Sequence, residues 1–125
     1  MADIRVLIVE DDPFIAMDIE SAVAEQLGDQ AELIVVGSVA EAKRAATRKL
    51  SCALLDIDVV DGKTFSVASV LQKAGTPFAF VSGSAPQEVP APLQSARFLR
   101  KPFSTREVAA FVLKAIGGKP TLKAV

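Results

Sequence analysis

Five short apolar runs, rich in β-branched residues, alternate along this chain with longer segments of helical periodicity. The runs are residues 4–9 (IRVLIV), 31–37 (AELIVVG), 52–56 (CALLD), 77–82 (PFAFVS) and 96–100 (ARFLR). The first, third and fourth are almost wholly apolar, which is typical of strands buried on both faces of a parallel sheet. Strict alternation therefore predicts a doubly wound α/β fold, a three-layer sandwich around a five-stranded parallel sheet.

Capping signals indicate where four of the connecting helices begin or end. Asp12 and Pro13 have the residue types of an N-cap and a first-turn position, and Gly28 is a suitable stop. Ser38 and Glu41 form a capping box at the start of a predicted helix over residues 39–50, and Ser104 and Glu107 form another at the start of residues 105–118. Gly75 is a suitable end for a helix predicted over residues 65–74. These signals predict four regular helices.

The connection between the fourth and fifth strands is different. Residues 84–96 (SAPQEVPAPLQSA) contain three prolines. An internal proline costs a helix about 3 kcal/mol because it removes a hydrogen bond and crowds the preceding turn. We therefore expect one helical turn, or a distorted and mobile helix, in this connection.

Composition narrows the possible functions. The chain has 125 residues, which suits one domain, and its 14 basic and 15 acidic residues give a net charge of −1, which argues against direct nucleic-acid binding. The absence of histidine rules out Ser-His and Cys-His nucleophile pairs. The lone Cys52 fits a reducing compartment. Without a signal-peptide pattern or an apolar stretch of about 20 residues, the sequence predicts a cytoplasmic protein with no membrane insertion.

Chemically reactive side chains follow four of the five predicted strands. They are Glu10, Asp11 and Asp12 after the first, Asp56 after the third, Ser82 at the end of the fourth and Lys101 after the fifth. Ligands of such folds bind at the carboxyl ends of the strands. Crowded carboxylates need a cation, and Mg²⁺ suits a site of few carboxylates. With Lys101 and Ser82 beside it, Asp56 is predicted to be a nucleophile for a phosphoryl group.

The motifs at these strand ends resemble those of the receiver domain of two-component response regulators. The matching segments are LIVEDD, LLDIDVVDG, FVSG and RKPF, in that order along the chain. The resemblance covers residues 3 to about 117 and implies a flavodoxin-like (βα)5 fold. It also implies a receiver domain over residues 1–119, followed by a flexible C-terminal tail over residues 120–125.

The resemblance assigns a role to each matching position. Asp56 matches the phosphoacceptor, and Ser82 and Lys101 match the residues that contact the phosphoryl group. The other matches are Glu10, Asp11, Asp56 and the backbone carbonyl of Asp58 as Mg²⁺ ligands, Ser82 and Phe98 as the switch residues, and Lys101–Pro102 as a cis peptide bond. Asp12 lies one residue beyond the acidic pair and is interpreted as a helix cap.

The resemblance implies a signalling switch rather than an enzyme. A sensor histidine kinase or a histidine phosphotransfer protein would phosphorylate Asp56, and a downstream effector protein would read the result, with a homodimer as a further possibility. The chain ends where a receiver ends, which predicts a stand-alone receiver. Residues 77–84 (PFAFVSGS) are similar to the PFxFATGY motif of the FAT GUY subgroup, although serine replaces its threonine and no tyrosine follows.

Two alternatives belong to other functional classes. Residues 54–64 (LLDIDVVDGKT) also match the h-h-D-x-D motif of haloacid-dehalogenase phosphatases, which use an aspartate nucleophile with Mg²⁺. That family needs an acidic pair after its lysine, and only Glu107 is acidic beyond Lys101. The other alternative is a degenerate receiver that binds partners without phosphorylation. The sequence keeps the acids, the hydroxyl of Ser82 and the amine of Lys101, which argues against a degenerate receiver.

Overall fold

The computed structural model describes residues 3–117, and the predicted tail over residues 120–125 lies outside them. The strands are β1 (Ile4–Val9), β2 (Ala31–Val36), β3 (Cys52–Leu55), β4 (Asp58–Val59), β5 (Gly62–Lys63), β6 (Phe78–Ser82) and β7 (Arg97–Arg100). Five of them form one parallel sheet in the order β2-β1-β3-β6-β7, so the predicted doubly wound fold is confirmed. The two short strands β4 and β5 form a separate antiparallel hairpin.

Among residues 3–117, four α-helices cover the two faces of the sheet. They are α1 (Pro13–Leu27), α2 (Val39–Ala45), α3 (Phe65–Ala74) and α4 (Thr105–Ala115). Side chains of β1 alternate between two apolar clusters, with Leu7 and Val9 on the α2–α3 side and Val6 and Ile8 on the α1–α4 side. Burial of this interior strand on both faces explains the apolar run from Val6 to Val9.

The helix boundaries follow the predicted caps closely. The carboxylate of Asp12 accepts hydrogen bonds from the backbone N–H groups of Phe14 and Ile15 at the start of α1. Ser104 and Glu107 form a complete capping box at the start of α4. Gly75 ends α3 in the left-handed region, at φ 75°, where a side chain would be strained. Local side-chain chemistry therefore sets these helix ends.

Helix α2 was predicted over residues 39–50 but ends at Ala45. The hydroxyl of Thr47 donates a hydrogen bond to the carbonyl of Arg44, which satisfies a backbone acceptor at the end of the helix. The chain then turns so that Leu50 enters the core and the N–H of Ser51 reaches the carbonyl of Arg5 on β1. Docking of β3 against β1 requires this early stop, which helical periodicity could not reveal.

The proline-rich connection between β6 and β7 contains two short 3₁₀ helices, Pro86–Glu88 and Ala91–Leu93, and no α-helix. Each has a proline in its first two positions, where a missing N–H is tolerated. The side chains of Val89 and Leu93 are buried in the apolar cluster on the α2–α3 side of the sheet. The prolines thus exclude a regular helix, as expected, but two 3₁₀ turns stand where one turn or a distorted helix was predicted, and the mobility of the segment stays a prediction. Within residues 3–117, no helix combines the length and the apolar character needed to cross a bilayer.

Candidate functional site

The sheet register brings the predicted site residues to one edge. Val9, the last residue of β1, pairs with Val36 of β2 and with Leu55 of β3. The N–H of Asp56 donates a 2.8 Å hydrogen bond to the carbonyl of Val9. On the other side of β3, the N–H of Lys101 donates a 2.9 Å hydrogen bond to the carbonyl of Ser82. Backbone pairing thus fixes the starting point of each functional side chain.

Three carboxylates and one amine meet at this edge. Oxygens of Glu10, Asp11 and Asp56 lie within 4.8 Å of one another. The amine of Lys101 lies 2.9 Å from Oε1 of Glu10 and 3.3 Å from Oδ2 of Asp56. Glu10 and Asp56 are buried, whereas Asp11 is exposed. Since three carboxylates face one amine, the cluster carries excess negative charge when all its members are ionised.

The donor set fits a divalent cation. Within the described part of the chain, the buried Oε1 of Glu10 has the amine of Lys101, at 2.9 Å, as its polar contact and accepts no other hydrogen bond. Its other oxygen accepts a hydrogen bond from the N–H of Asp12. Mg²⁺ binds oxygen ligands, usually one or two carboxylates, and keeps water in the rest of its coordination shell. The cluster of Glu10, Asp11 and Asp56 could therefore hold Mg²⁺.

The protonation states reflect the same crowding. Burial raises the pKa of Asp56 to about 6, and the charge of Glu10 adds to the effect while Lys101 opposes it. Burial alone would lower the pKa of Lys101, but contact with the carboxylates of Glu10 and Asp56 outweighs it and raises that pKa. Lys101 therefore stays a cation, and the site disfavours the charge of the Asp56 carboxylate.

Ser82 and Phe98 lie on β6 and β7, outside this cluster of charges. Ser82 is buried, and its hydroxyl oxygen accepts a 3.1 Å hydrogen bond from the N–H of Ser84. Phe98 is half-buried, with its ring centroid 6.5 Å from that of Phe80. The peptide bond between Lys101 and Pro102 is cis. Ser82 thus makes its side-chain hydrogen bond within its own loop rather than with Asp56.

The loop after Asp56 holds contacts that the sequence analysis missed. Thr64 is fully buried and donates a 2.6 Å hydrogen bond to the backbone carbonyl of Asp56. The side chain of Asp58 accepts hydrogen bonds from Lys63, at 2.6 Å, and from Ser84, at 3.2 Å. Asp61–Gly62 resembles a recognised hairpin signal, but the two turn residues are Val60 and Asp61 and Gly62 lies on β5, so the signal indicates a hairpin one residue out of register. The position of Asp58's carbonyl as a metal ligand stays a prediction.

Asp61 joins the same loop to α2. Its two carboxylate oxygens accept hydrogen bonds from the N–H of Val39, at 2.6 Å, and of Ala40, at 3.1 Å. Ser38 caps the third free N–H of the helix, that of Glu41. A carboxylate from a distant loop therefore completes the N-terminus of α2 and also matches the positive end of its dipole.

Replacing Asp61 with alanine is expected to lower the Tm by several degrees, because two N–H groups of α2 lose their acceptor. Hydrogen bonds, chiefly from the N–H of Val39, lower the pKa of Asp61. The stabilisation is therefore present above the ordinary aspartate pKa and is lost as the pH falls through the lowered value. Thermal unfolding of Asp61→Ala and of Asp61→Asn, which keeps one acceptor, checks this. Equal Tm values for parent and Asp61→Ala at pH 7 would refute it.

Several solved structures resemble this chain over nearly its whole length. SdrG from Sphingomonas melonis Fr1 is 30% identical, with 90% of this chain and 95% of that chain covered and a TM-score of 0.72. The receiver domain of sensor histidine kinase PA1611 from Pseudomonas aeruginosa PAO1, which has a magnesium ion coordinated in its active-site cleft, is 23% identical, with 93% and 99% covered and a TM-score of 0.75.

A response regulator receiver protein from Sinorhizobium medicae WSM419 is 21% identical, with 90% of this chain and 94% of that chain covered and a TM-score of 0.77. Neither a protein-family model nor a curated protein matches the sequence. The relationship to known proteins is therefore seen in the shared fold and in the 30% sequence identity to SdrG.

Proposed function

Because the chain belongs to the family of response regulator receiver domains, we propose that it is a phosphorylation-dependent switch whose phosphoacceptor is Asp56. The observation that carries this proposal is the position of the Asp56 carboxylate. It lies 3.3 Å from the amine of Lys101 and shares a cluster with Glu10 and Asp11. These are the groups that a transferred phosphoryl group needs around it, two acids to hold a metal and one cation to bind oxygens.

In the proposed transfer, an oxygen of Asp56 forms a bond to phosphorus while the bond between phosphorus and a donor histidine nitrogen breaks. The histidine keeps the electron pair of the broken bond, and Asp56 becomes an acyl phosphate. Lys101 stays protonated and moves its contact from the carboxylate of Asp56 to a phosphoryl oxygen. Glu10, Asp11, Asp56 and the carbonyl of Asp58 would hold Mg²⁺, which when bound neutralises charge on the phosphoryl oxygens.

The partners proposed for this switch are proteins. A sensor histidine kinase or a histidine phosphotransfer protein supplies the phosphoryl group, and an effector protein reads the switch. Phe14, Met17 and Val60 are exposed large apolar side chains on α1 and on the loop after β3. Met17 and Val60 also line a cleft of about 670 Å³ that reaches Glu10 and Asp11. Apolar surface beside the acceptor suits transient docking of a donor protein.

The proposed switch acts through Ser82 and Phe98. A phosphoryl group on Asp56 would add acceptor oxygens at this edge of the sheet, and rotation of Ser82 toward them would move the loop over residues 83–85. Phe98 borders a small cavity of about 80 Å³, also lined by Val89 and Leu93 of the proline-rich connection. Because a ligand shifts a population only by differential contacts, Ser82 provides the contact and the space near Phe98 permits movement.

Intact-mass measurement after incubation with phosphoramidate and Mg²⁺ tests the proposed function. We expect a labile adduct of about 80 Da, one phosphoryl group, that is absent without Mg²⁺ and absent in Asp56→Asn. The matched control is Asp29→Asn, since Asp29 is an exposed aspartate in the 3₁₀ turn after α1. An adduct that persists in Asp56→Asn would contradict the assignment, and steady turnover of phosphate monoesters would favour a phosphatase.

A further inference from the structure

Side chains of three residues link the loop after Asp56 to the loop after Ser82. The amine of Lys63 donates a 2.6 Å hydrogen bond to one carboxylate oxygen of Asp58. The hydroxyl of Ser84 donates a 3.2 Å hydrogen bond to the other oxygen. We call Lys63, Asp58 and Ser84 the loop latch. It joins the β4–β5 hairpin to the loop after Ser82, which is not part of the five-stranded sheet.

The loop latch also determines what the hydroxyl of Ser82 can do. Through its backbone N–H, Ser84 donates a 3.1 Å hydrogen bond to Oγ of Ser82. One residue therefore holds Asp58 with its side chain and Ser82 with its backbone. If the Ser82 side chain rotates toward Asp56, the N–H of Ser84 loses this acceptor, and it can follow the hydroxyl only if the short loop shifts. The contact between Ser84 and Asp58 opposes that shift.

We propose that the loop latch is an autoinhibitory contact that holds Ser82 in its unphosphorylated position, with Asp58 and Ser84 acting as positioning residues for the switch. This inference rests on the proposed function of Asp56. A phosphoryl group on Asp56 offers Ser82 new acceptor oxygens. Rotation of Ser82 toward them withdraws the acceptor of the Ser84 N–H, so phosphorylation and the loop latch compete for the same loop.

The first test measures binding of beryllofluoride, a phosphoryl mimic, at saturating Mg²⁺ to the parent, Ser84→Ala, Asp58→Ala and the double variant. Each single variant is expected to bind about two- to fivefold more tightly, since an exposed charge-assisted hydrogen bond makes a modest contribution. The double variant should gain no more than the larger single effect, because both substitutions break one contact. Ser95→Ala, an exposed serine in the connection before β7, is the matched control.

The second measurement needs no phosphoryl mimic. Hydrogen exchange of the Ser84 amide in the unphosphorylated protein should accelerate about two- to fivefold in Asp58→Ala, because the hydrogen bond to Ser82 loses its support. Unchanged exchange, or additive effects on beryllofluoride affinity, would overturn the loop latch. If the parent forms the Asp56 adduct and Ser84→Ala binds the mimic as the parent does, only the loop latch fails. If no adduct forms at all, the proposed function fails, and the exchange result still decides whether Asp58 holds Ser84.

Discussion

Replacing Asp56 with asparagine is expected to raise the free energy of unfolding of the metal-free protein by about 2 kcal/mol at pH 7.5. Burial raises the pKa of Asp56 to about 6 from the ordinary value of 3.8, which means that folding disfavours its charge. The full shift corresponds to roughly 3 kcal/mol, and residual contact with solvent reduces the usable part to about 2 kcal/mol. Asparagine has nearly the same shape and removes the charge beside Glu10.

The raised pKa of Asp56 also makes the stability difference between the two proteins depend on pH. Between about pH 4 and pH 6 the folded protein holds a proton on Asp56 that the unfolded chain releases, so stability falls as the pH rises through this window. The advantage of Asp56→Asn should therefore be small at pH 4 and complete above pH 6. Denaturant unfolding with a chelator present, at both pH values, measures it. Asp29→Asn is the control, and a parent more stable than Asp56→Asn at pH 7.5 without metal would refute the prediction.

Added Mg²⁺ should favour the parent over Asp56→Asn. A divalent cation bound by Glu10, Asp11 and Asp56 favours the ionised carboxylate and stabilises only the folded state. The parent should therefore gain more from added Mg²⁺ than Asp56→Asn does. Titration of Mg²⁺ at pH 5 and pH 7.5, followed by Tm, separates this effect from general salt stabilisation, since a screening effect would be equal in both proteins.

The sequence predicted the sheet and most helix ends because their causes are local. Unbroken apolar runs reflect burial on both faces, and Asp12, Gly75 and Ser104 act within one turn of the helices that they cap. The early end of α2 was not predictable, because it depends on Ser51 pairing with Arg5 on another strand. The cap of α2 by Asp61 was missed for the same reason, since the partners lie more than 20 residues apart.

The candidate site also has features that the sequence predicted and features that it did not. The rule that strand ends converge was enough to predict the neighbourhood of Glu10, Asp11, Asp56 and Lys101, which the structure brings together. It could not give the contacts of the loop after Asp56, because short polar side chains there choose partners by the exact path of the backbone. The bonds of Asp58 to Lys63 and Ser84, and of Thr64 to the carbonyl of Asp56, are of this kind. Membership of the FAT GUY subgroup stays a prediction.

Replacing Lys101 with methionine is expected to lower the free energy of unfolding of the metal-free protein by about 3 kcal/mol at pH 7.5. The side chains of Glu10 and Asp56 are 1% and 9% exposed, and the Lys101 amine is the cation that contacts both. Removing one partner of a buried ion pair typically costs 3–5 kcal/mol, and the 20% exposure of Lys101 places this case at the lower end. The loss should shrink toward pH 5, because Asp56 takes up a proton there and relieves the repulsion from Glu10.

Two comparisons make the Lys101 prediction specific to the acidic cluster. In Lys101→Met/Asp56→Asn the loss should be much smaller than in Lys101→Met alone, because only one buried carboxylate is then without its cation. Added Mg²⁺ should restore much of the stability of Lys101→Met, since a bound cation can take over the pairing of Glu10 and Asp56. Lys63→Met, which removes an ion pair with Asp58 at the exposed hairpin, is the control and should change stability far less. A loss in Lys101→Met that neither Asp56→Asn nor Mg²⁺ reduces would mean that Lys101 stabilises the fold through packing of its alkyl chain, and not as the counter-ion of the carboxylates.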